Sequence, residues 1–394
     1  MHGKAARSRL RTIARLIRWG PPLLLTLVLL LLIQRQCTAG DQPLDKKRQA
    51  IGTLVLDAGN ESIEVHGPLN REDAAPAAAA DSFFHIGSNT KAMTATMLAM
   101  LVEEGLLDWD STVAEVWPEQ AADFDEQMRD VTLQDLLTHR SGMQAFTDGA
   151  EWKAVPARRG DARQRRREFS HWLLGQPPKL RRGKYLYSNA DYGVASAMAE
   201  ERSGQSWEQL MQERLFGPLG MDVQFGWPLD RDSAQPTGYY SGKGQLRAYG
   251  RAQGYVLPVE IAAAADLSMP LGEYAKFLRL HLDGLSGSPR LLSAESFAHL
   301  HEPAGHYACG WIVLDRDIET PQGSSTERIS THNGSTRTFY IHALINQTRG
   351  IAGAAVVNCG GDAARELTTT LVDGLLGGED QTGSVQAAQP ADPR

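Results

Sequence analysis

The 394-residue chain is poor in cysteine, since Cys37, Cys309 and Cys359 are its only three. It has neither a CxxC pair nor an HExxH segment, so the ligand spacings typical of zinc sites are absent. Cys309 and Cys359 lie in strand-like runs. Two alternatives stay open for them, a disulfide formed in an oxidising compartment or two buried thiols.

Positive charge is also scarce outside the first 18 residues. Those 18 residues hold six of the 40 lysines and arginines and no acid, which leaves 34 basic residues against 47 acidic ones. This acidic balance disfavours a nucleic-acid partner. Two basic runs, residues 157–169 with six arginines and residues 179–184, interrupt it. They predict either a solvated helix and loop or a cationic rim beside a cleft, suited to anionic cell-envelope polymers or lipid headgroups.

One apolar run, "PPLLLTLVLLLLI" at residues 21–33, follows the basic start of the chain. Its 13 residues are short for a stable bilayer span. The basic segment before it and the small residues 37–40 after it are typical of a signal peptide, which we predict over residues 1–40 with cleavage after Ala39. A retained membrane anchor is the alternative. Both predict an exported protein, either periplasmic or anchored facing away from the cytoplasm.

Strand-like patterns lie at both ends of the chain and helical patterns between them. Residues 50–66 predict a hairpin that turns at 57–60. Further strands are expected at 307–314, 328–333, 338–345 and 351–358. Helices are expected from residue 88 onward and at 133–143, 191–204, 206–220, 272–285, 293–302 and 363–376.

This order predicts an α/β (α+β) domain over residues 41–377. An antiparallel sheet of about five strands would form from residues 50–70 and 305–376, with helices flanking it. A mostly helical subdomain, at about 96–300, would be inserted between its two halves. The Gly/Gln/Ala/Pro-rich tail at 378–394 is predicted to be disordered.

The stretch "FHIGSNTKAMTATMLAML" places Ser88 and Lys91 three residues apart at the start of an apolar helix. This spacing puts both side chains on one helix face. A serine hydroxyl needs a base to act as a nucleophile, and a desolvated lysine loses proton affinity and can serve as that base. The alternative is a serine N-cap followed by a solvated lysine.

Two later segments carry the same kind of polar cluster. In "YLYSNADYG", Tyr187 offers a phenol for proton transfer and Asn189 an amide for a substrate carbonyl. In "STHNGST", His332 offers a donor to an anion or ester oxygen, and Gly334 beyond Asn333 permits close approach of substrate backbone. The alternatives are a turn tyrosine with an asparagine helix cap, and a surface histidine in a turn.

Taken in order, Ser-x-x-Lys, Tyr-x-Asn and a basic residue with Gly two positions on resemble the three motifs of serine β-lactamases and penicillin-binding proteins. The flanking segments "VTLQDLLTHRSGM" and "LFGPLGM" look like the class C β-lactamase-related branch, which also holds D-alanyl-D-alanine carboxypeptidases and esterases. The resemblance covers roughly residues 50–376.

Two departures from the family pattern stand out. His-Asn-Gly replaces Lys-Thr-Gly, as in the peptidase and esterase members, and "AAAADLSMP" carries Ala-Asp and Met-Pro in place of Gly-Gly and Ser-Thr.

The resemblance implies a β-lactamase/transpeptidase-like fold and an acyl-enzyme on Ser88, with Lys91 and Tyr187 sharing the role of base. The backbone N–H groups of Ser88 and Ser335 would form the oxyanion hole. Asn189 would bind the substrate amide. His332, with Asn333 and Gly334 beside it and with an ordinary pKa, would hold a carboxylate or orient the leaving group. No metal or organic cofactor is implied.

The expected substrate is a small molecule or a cell-wall peptide, most simply a small ester or a D-alanyl peptide. Two alternatives remain. One is a true β-lactamase, and the other is a non-catalytic penicillin-recognising or scaffold protein on the same fold.

Overall fold

The chain is described by a computed structural model that covers residue 44 and residues 46–147, 149–242, 245–320 and 323–375. The predicted signal or anchor at 1–40 and the predicted tail at 378–394 lie outside these residues. Among the residues that are described, no helix is both long and apolar enough to cross a membrane.

Eleven strands occur within the described residues. They are β1 (Ile51–Leu56), β2 (Glu61–His66), β3 (Phe84–His85), β4 (Gln224–Phe225), β5 (Tyr239–Gly242), β6 (Gln245–Ala248), β7 (Leu267–Met269), β8 (Ile312–Thr320), β9 (Gly323–Ser335), β10 (Tyr340–Asn346) and β11 (Ile351–Val357).

The α-helical segments are numbered separately. They are α1 (Thr90–Glu103), α2 (Val113–Val116), α3 (Leu133–Leu137), α4 (Ala162–Leu174), α5 (Asn189–Ser203), α6 (Trp207–Leu210), α7 (Gly217–Leu219), α8 (Pro228–Arg231), α9 (Ala262–Ala265), α10 (Leu271–Leu285), α11 (Ala294–Leu300) and α12 (Asp362–Leu375).

The main sheet joins the two ends of the described chain. Its six strands run in the order β2-β1-β11-β10-β9-β8, and each neighbouring pair is antiparallel. Ile51 of β1 lies opposite Val357 of β11, so a pairing between distant segments closes the domain. The predicted fold class is confirmed, with one strand more than the five expected.

Helices cover both faces of this sheet. Along β11, Ala352, Ala354 and Val356 pack into the main core, whereas Ala355 and Val357 pack into two smaller clusters on the other side. Successive side chains of a strand point to opposite faces, so a strand buried on both sides is apolar throughout. Helix α10 contacts β1 and β11, and α12 contacts β10 and β11.

Helix α1 lies at the centre of the molecule. All of its residues from Thr90 to Leu101 are buried, which is the pattern of a helix surrounded by protein rather than of an amphipathic surface helix. Helices α5, α9 and α11 contact it. The residues at its N-terminal end are therefore held from several sides.

Three predicted elements differ from the structure. The helix expected at 133–143 ends at Leu137, because His139 adopts a left-handed backbone conformation with φ of 59°. The strand expected from residue 307 begins at Ile312, after a turn in which Gly310 has φ of 84°. The helix expected at 206–220 is divided by a π-helical stretch, Met211–Phe216.

The helical region also contains a small sheet that the sequence did not predict. Strand β7 pairs with β3 on one side and with β4 on the other. Because β3 ends at His85, this sheet fixes the chain three residues before Ser88. It therefore helps to place the first motif.

The two cysteines of the domain do not pair with each other. Cys309 is a buried free thiol in the main core, and burial raises its pKa to about 12. Cys359 packs in a different cluster with Ile51 and Tyr340. Of the two alternatives, the structure supports buried thiols.

Candidate active site

Ser88 lies in a 3₁₀ turn, Gly87–Asn89, that connects β3 to α1. Gly87 has φ of +49°, a left-handed conformation that glycine adopts without strain. The residue that precedes α1 is Asn89, so Ser88 is not the N-cap of this helix. The cap interpretation of Ser88 is therefore wrong.

Lys91 lies one turn further on and is fully buried. Its Nζ is 3.3 Å from Ser88 Oγ, and it donates to Asn189 Oδ1 at 2.8 Å and to the Ala264 carbonyl at 3.1 Å. Each of these contacts is a neutral oxygen. Burial therefore lowers the pKa of Lys91 well below its usual value, and the charge of Asp191 opposes this only in part. The solvated lysine of the alternative interpretation is excluded.

Tyr187 lies over the same amine. Lys91 Nζ is 4.6 Å from the centre of the Tyr187 ring. Desolvation raises the pKa of Tyr187, and a hydrogen bond with Ser88 opposes the rise. At neutral pH the cluster therefore combines a proton-bearing phenol, a serine hydroxyl and an amine that readily gives up its proton.

Asn189 begins α5 and holds Lys91. Its Oδ1 accepts from Lys91 Nζ, and its Nδ2 donates to the Phe146 carbonyl at 3.1 Å. Ser188 caps the helix by accepting from the Asp191 amide, which fixes the turn that presents Asn189. An amide nitrogen carries two hydrogens, so one N–H of Asn189 remains for a substrate carbonyl.

His332 occupies β9 but does not present a donor to a ligand. Its Nδ1 is 2.8 Å from the Asn333 carbonyl, which can only accept, so Nδ1 carries the proton. Its Nε2 then accepts from the Tyr307 hydroxyl at 3.0 Å. We expected an ordinary pKa for this histidine. Burial and the nearby Lys91 instead lower the pKa of His332 to about 3, so the ring is neutral.

Gly334 makes room for protein rather than for substrate. A Cβ at this position would lie 1.9 Å from the Ile86 carbonyl, directly before the Ser88 turn. Likewise, a Cβ on Gly87 would lie 2.7 Å from the Ser335 amide nitrogen. The two glycines let the first and third motifs touch, which brings the Ser335 amide next to the turn that contains Ser88. Ser335 itself is exposed, and the side-chain Oδ1 of Asn333 is buried without a partner among the described residues.

A second layer of buried polar residues supports Tyr187. His139 packs against the rings of Tyr187 and Tyr307, with ring centres 4.6 and 4.5 Å apart. Its Nδ1 is 3.3 Å from Asp191 Oδ2, and burial lowers the pKa of His139 while it raises that of Asp191. Sequence reasoning missed this layer. Its only signal in the sequence is a histidine just after the helix Leu133–Leu137 and an acid, Asp191, in the first turn of α5.

The arginine-rich segment is mostly turned inward. Four of its six arginines contact protein oxygens: Arg158 and Arg165 contact the buried Glu260, Arg163 contacts the Gly204 and Glu200 carbonyls, and Arg166 contacts Glu200 and Glu208. These four arginines fit neither the predicted solvated helix and loop nor the predicted cationic rim. Residues 179–184 are exposed.

In the part of the chain that the structure describes, no group of three His, Cys, Asp or Glu side chains could hold a metal ion. The residues around Ser88 offer a hydroxyl nucleophile, an amine, a phenol and two backbone amides.

Comparison with known proteins points to one family. The β-lactamase family model matches residues 40–376. The chain is 27% identical over 334 residues to penicillin-binding protein 4 of Amycolatopsis lactamdurans, covering 80% of this chain and 82% of the relative. It is 32% identical over 171 residues to the lovastatin esterase of Penicillium rubens, covering 39% and 41%. The chain thus spans less than half the length of that esterase.

A solved structure matches the fold. The octameric penicillin-binding protein homologue of Pyrococcus abyssi superposes with a TM-score of 0.66 at 22% identity, over 83% of this chain and 73% of that one. At this identity the match shows a common fold and nothing finer.

Proposed function

Because the chain belongs to the β-lactamase family, we propose that it is a serine hydrolase that forms an acyl-enzyme on Ser88 and cleaves small esters or D-alanyl peptides. One observation carries the proposal. A fully buried amine, Lys91, lies 3.3 Å from a serine hydroxyl and is surrounded by neutral oxygens. That arrangement supplies the unprotonated base that a serine nucleophile needs.

The reaction uses groups of this chain alone. Ser88 Oγ bonds to the substrate carbonyl carbon while its proton passes to Lys91, and the backbone N–H groups of Ser88 and Ser335 stabilise the oxyanion. The phenol of Tyr187 gives a proton to the leaving group and regains one through Lys91. Water then attacks the acyl carbon along the same proton path, which releases the acid and restores Ser88.

The third motif favours substrates without a carboxylate at His332. A carboxylate only accepts hydrogen bonds, and the one ring proton of His332 is donated to Asn333. Esters need no cation there, whereas a β-lactam and the free C-terminus of a D-alanyl-D-alanine peptide each carry a carboxylate. We therefore expect esters to be the best substrates, D-alanyl peptides to be slower and cephalosporins to be slowest. Among the relatives, the name lovastatin esterase represents the first class.

The nucleophile can be tested by labelling with a fluorophosphonate. Intact-protein mass should show one adduct on the wild type and none on Ser88→Ala, which should retain its fold. Ser62→Ala, which changes an exposed serine of β2, is the matched control and should label normally. A Ser88→Ala variant that still labels and turns over substrate would overturn the mechanism.

The substrate class can be tested with one panel. The panel contains p-nitrophenyl acetate and butyrate, a D-alanyl-D-alanine peptide and a cephalosporin, with adduct mass measured after each. Faster turnover of the cephalosporin than of every ester and peptide would favour the β-lactamase alternative. A wild type that takes up the cephalosporin but turns over nothing would favour the penicillin-recognising alternative.

We also propose that the protein is exported. Support comes from residues 1–40 alone, where a basic segment precedes the 13-residue apolar run. Expression of the full chain in a bacterial host should give a periplasmic product that begins near residue 40, or a membrane-bound product that keeps its N-terminus. A soluble cytoplasmic product of full length would contradict export.

A further inference from the structure

His85 is the last residue of β3 and is buried, with its ring centre 4.6 Å from that of Trp227 and 6.5 Å from that of Phe339. Both of its nitrogens have partners. Nδ1 is 3.1 Å from the Gly87 amide nitrogen, and Nε2 is 3.3 Å from Asp266 Oδ1. The site described above uses neither His85 nor Asp266.

These partners fix the tautomer of His85. A backbone N–H can only donate, so Nδ1 must carry a lone pair and accept from Gly87. The ring proton then sits on Nε2, where it points to the carboxylate of Asp266. If the proton moved to Nδ1, the hydrogen bond to Gly87 would be lost. Asp266 thus favours the one neutral tautomer that can hold the Gly87 amide.

The Gly87 amide is held at the point where the chain enters the nucleophile turn. The left-handed conformation of Gly87 determines where the next residue, Ser88, directs its amide and its hydroxyl. Gly87 also packs directly against the Ser335 amide. Rotation of the Gly87 peptide would therefore move both expected oxyanion donors relative to each other.

We propose that His85 and Asp266 form a positioning pair for the nucleophile turn, in which Asp266 fixes the tautomer of His85 and His85 anchors the Gly87 amide. The proposal rests on the proposed function, because a turn without a nucleophile needs no such alignment. Neither residue is among the groups assigned to the reaction above. Asp266 is the aspartate of the Ala-Asp pair that stands in place of the family's Gly-Gly. This departure from the family pattern therefore places a carboxylate against His85, beside the nucleophile turn.

Two substitutions of His85 separate positioning from packing. The side-chain oxygen of asparagine is one bond from Cγ, as Nδ1 is, so His85→Asn can still accept from Gly87. The amide of glutamine reaches as far as Nε2, so His85→Gln can meet Asp266 but leaves Gly87 without an acceptor. Glutamine is also closer to histidine in volume. A purely structural role therefore predicts that glutamine is the better replacement in every assay.

Positioning predicts the opposite order for chemistry. We expect fluorophosphonate labelling of Ser88 and kcat for p-nitrophenyl acetate to fall about tenfold or more in His85→Gln, since a small misplacement of reacting groups is costly. His85→Asn should stay within about threefold of the wild type, although its thermal midpoint should be no higher than that of His85→Gln. Equal rates for the two variants, or a faster His85→Gln, would overturn the proposal.

Asp266 provides a second pair of variants on a partly exposed side chain, which removes the risk that the buried substitutions simply unfold. Asp266→Asn keeps an acceptor for Nε2–H and should react within about twofold of the wild type. Asp266→Leu removes the acceptor and should lower kcat several-fold at unchanged KM. An unchanged kcat in Asp266→Leu would overturn the proposed role of the pair.

A wild type that takes no phosphonate at Ser88 contradicts the proposed function itself, whereas normal labelling with indistinguishable variants contradicts only this inference.

Discussion

Lys91 and Arg166 are both fully buried cations on helices of the same domain, yet their surroundings give them opposite properties. Lys91 contacts only neutral oxygens, whereas Arg166 donates to the carboxylates of Glu200 and Glu208 at 2.6–3.0 Å. Burial alone would lower the pKa of both. For Arg166 the two glutamates outweigh it and raise the pKa, but for Lys91 nothing does.

The comparison shows what turns a buried cation into a base. The guanidinium of Arg166 stays charged and pairs with two carboxylates, so it fastens α4 to α5 and cannot serve as a base. A shell of amide, carbonyl and hydroxyl oxygens orients Lys91 without compensating its charge. The pKa of Lys91 is therefore lowered, and the amine can accept the proton of Ser88 more readily than an ordinary lysine. The type of side chain and the charge of its partners, rather than depth of burial, separate structure from catalysis here.

Arg166→Met should have the largest effect on the stability of the fold, because it leaves Glu200 buried without its cation. Removing one member of a buried pair costs about 3–5 kcal/mol of unfolding free energy. Chemical denaturation would measure this loss, and Arg167→Met is the matched control because Arg167 is the exposed neighbour. Activity per folded molecule should be unchanged. A variant as stable as the control would mean that the glutamates do not need Arg166.

Lys91→Met should lower activity and leave stability intact, the reverse of Arg166→Met. The variant should remain folded, since it removes a desolvated amine, but acylation of Ser88 should slow by at least ~100-fold, the scale of a lost general base. Tyr187→Phe should give a loss of similar size. The double variant should be little worse than either single one, because both groups serve one proton path.

Single-turnover kinetics with p-nitrophenyl acetate would measure these losses. Lys184→Met, which changes an exposed lysine close to Tyr187 in the chain, is the control and should behave as wild type. Penalties that multiply in the Lys91 and Tyr187 double variant would show two independent functions instead of one path.

The sequence alone does not show which of the two buried basic residues serves as a base and which forms a structural ion pair. Ser-x-x-Lys and the arginine run both present basic residues in helical segments, and the motif resemblance identified Ser88, Lys91 and Tyr187 correctly as neighbours. The partners that decide the chemistry, however, come from far along the chain. Ala264 is 173 residues from Lys91, and Glu200 is 34 from Arg166. Sheet order followed from strand-like runs at both ends, whereas the small sheet around β7 has strands of two or three residues that leave no periodicity to detect.

The histidines add a pH-dependent test of the same comparison. Burial lowers the pKa of His301 and His332 to about 3 and that of His342 to about 4 in the folded state. Below pH 6.5 the unfolded chain binds protons that the folded chain refuses. Stability should therefore be complete above about pH 6.5 and should fall as the pH drops toward 4, with each of the three histidines adding to the slope.

Thermal midpoints at pH 7, 5.5 and 4.5 would measure this dependence. His342→Gln should reduce the pH dependence of the thermal midpoint by the contribution of one histidine. Glutamine does not titrate in this range and can still bond to Thr331 or Thr369. Midpoints that stay constant over this range would show that the three rings are not held neutral.

The proton state of Lys91 is the most direct measure of the difference between the two buried cations. With lysine labelled at Cε with ¹³C, NMR titration would follow each amine, and the Lys91→Met spectrum would identify the missing signal. The structure predicts that Lys91 loses its proton at a pH well below that of the surface lysines. A Lys91 signal that titrates together with theirs, or later, would mean that the amine is charged at neutral pH and cannot be the base for Ser88.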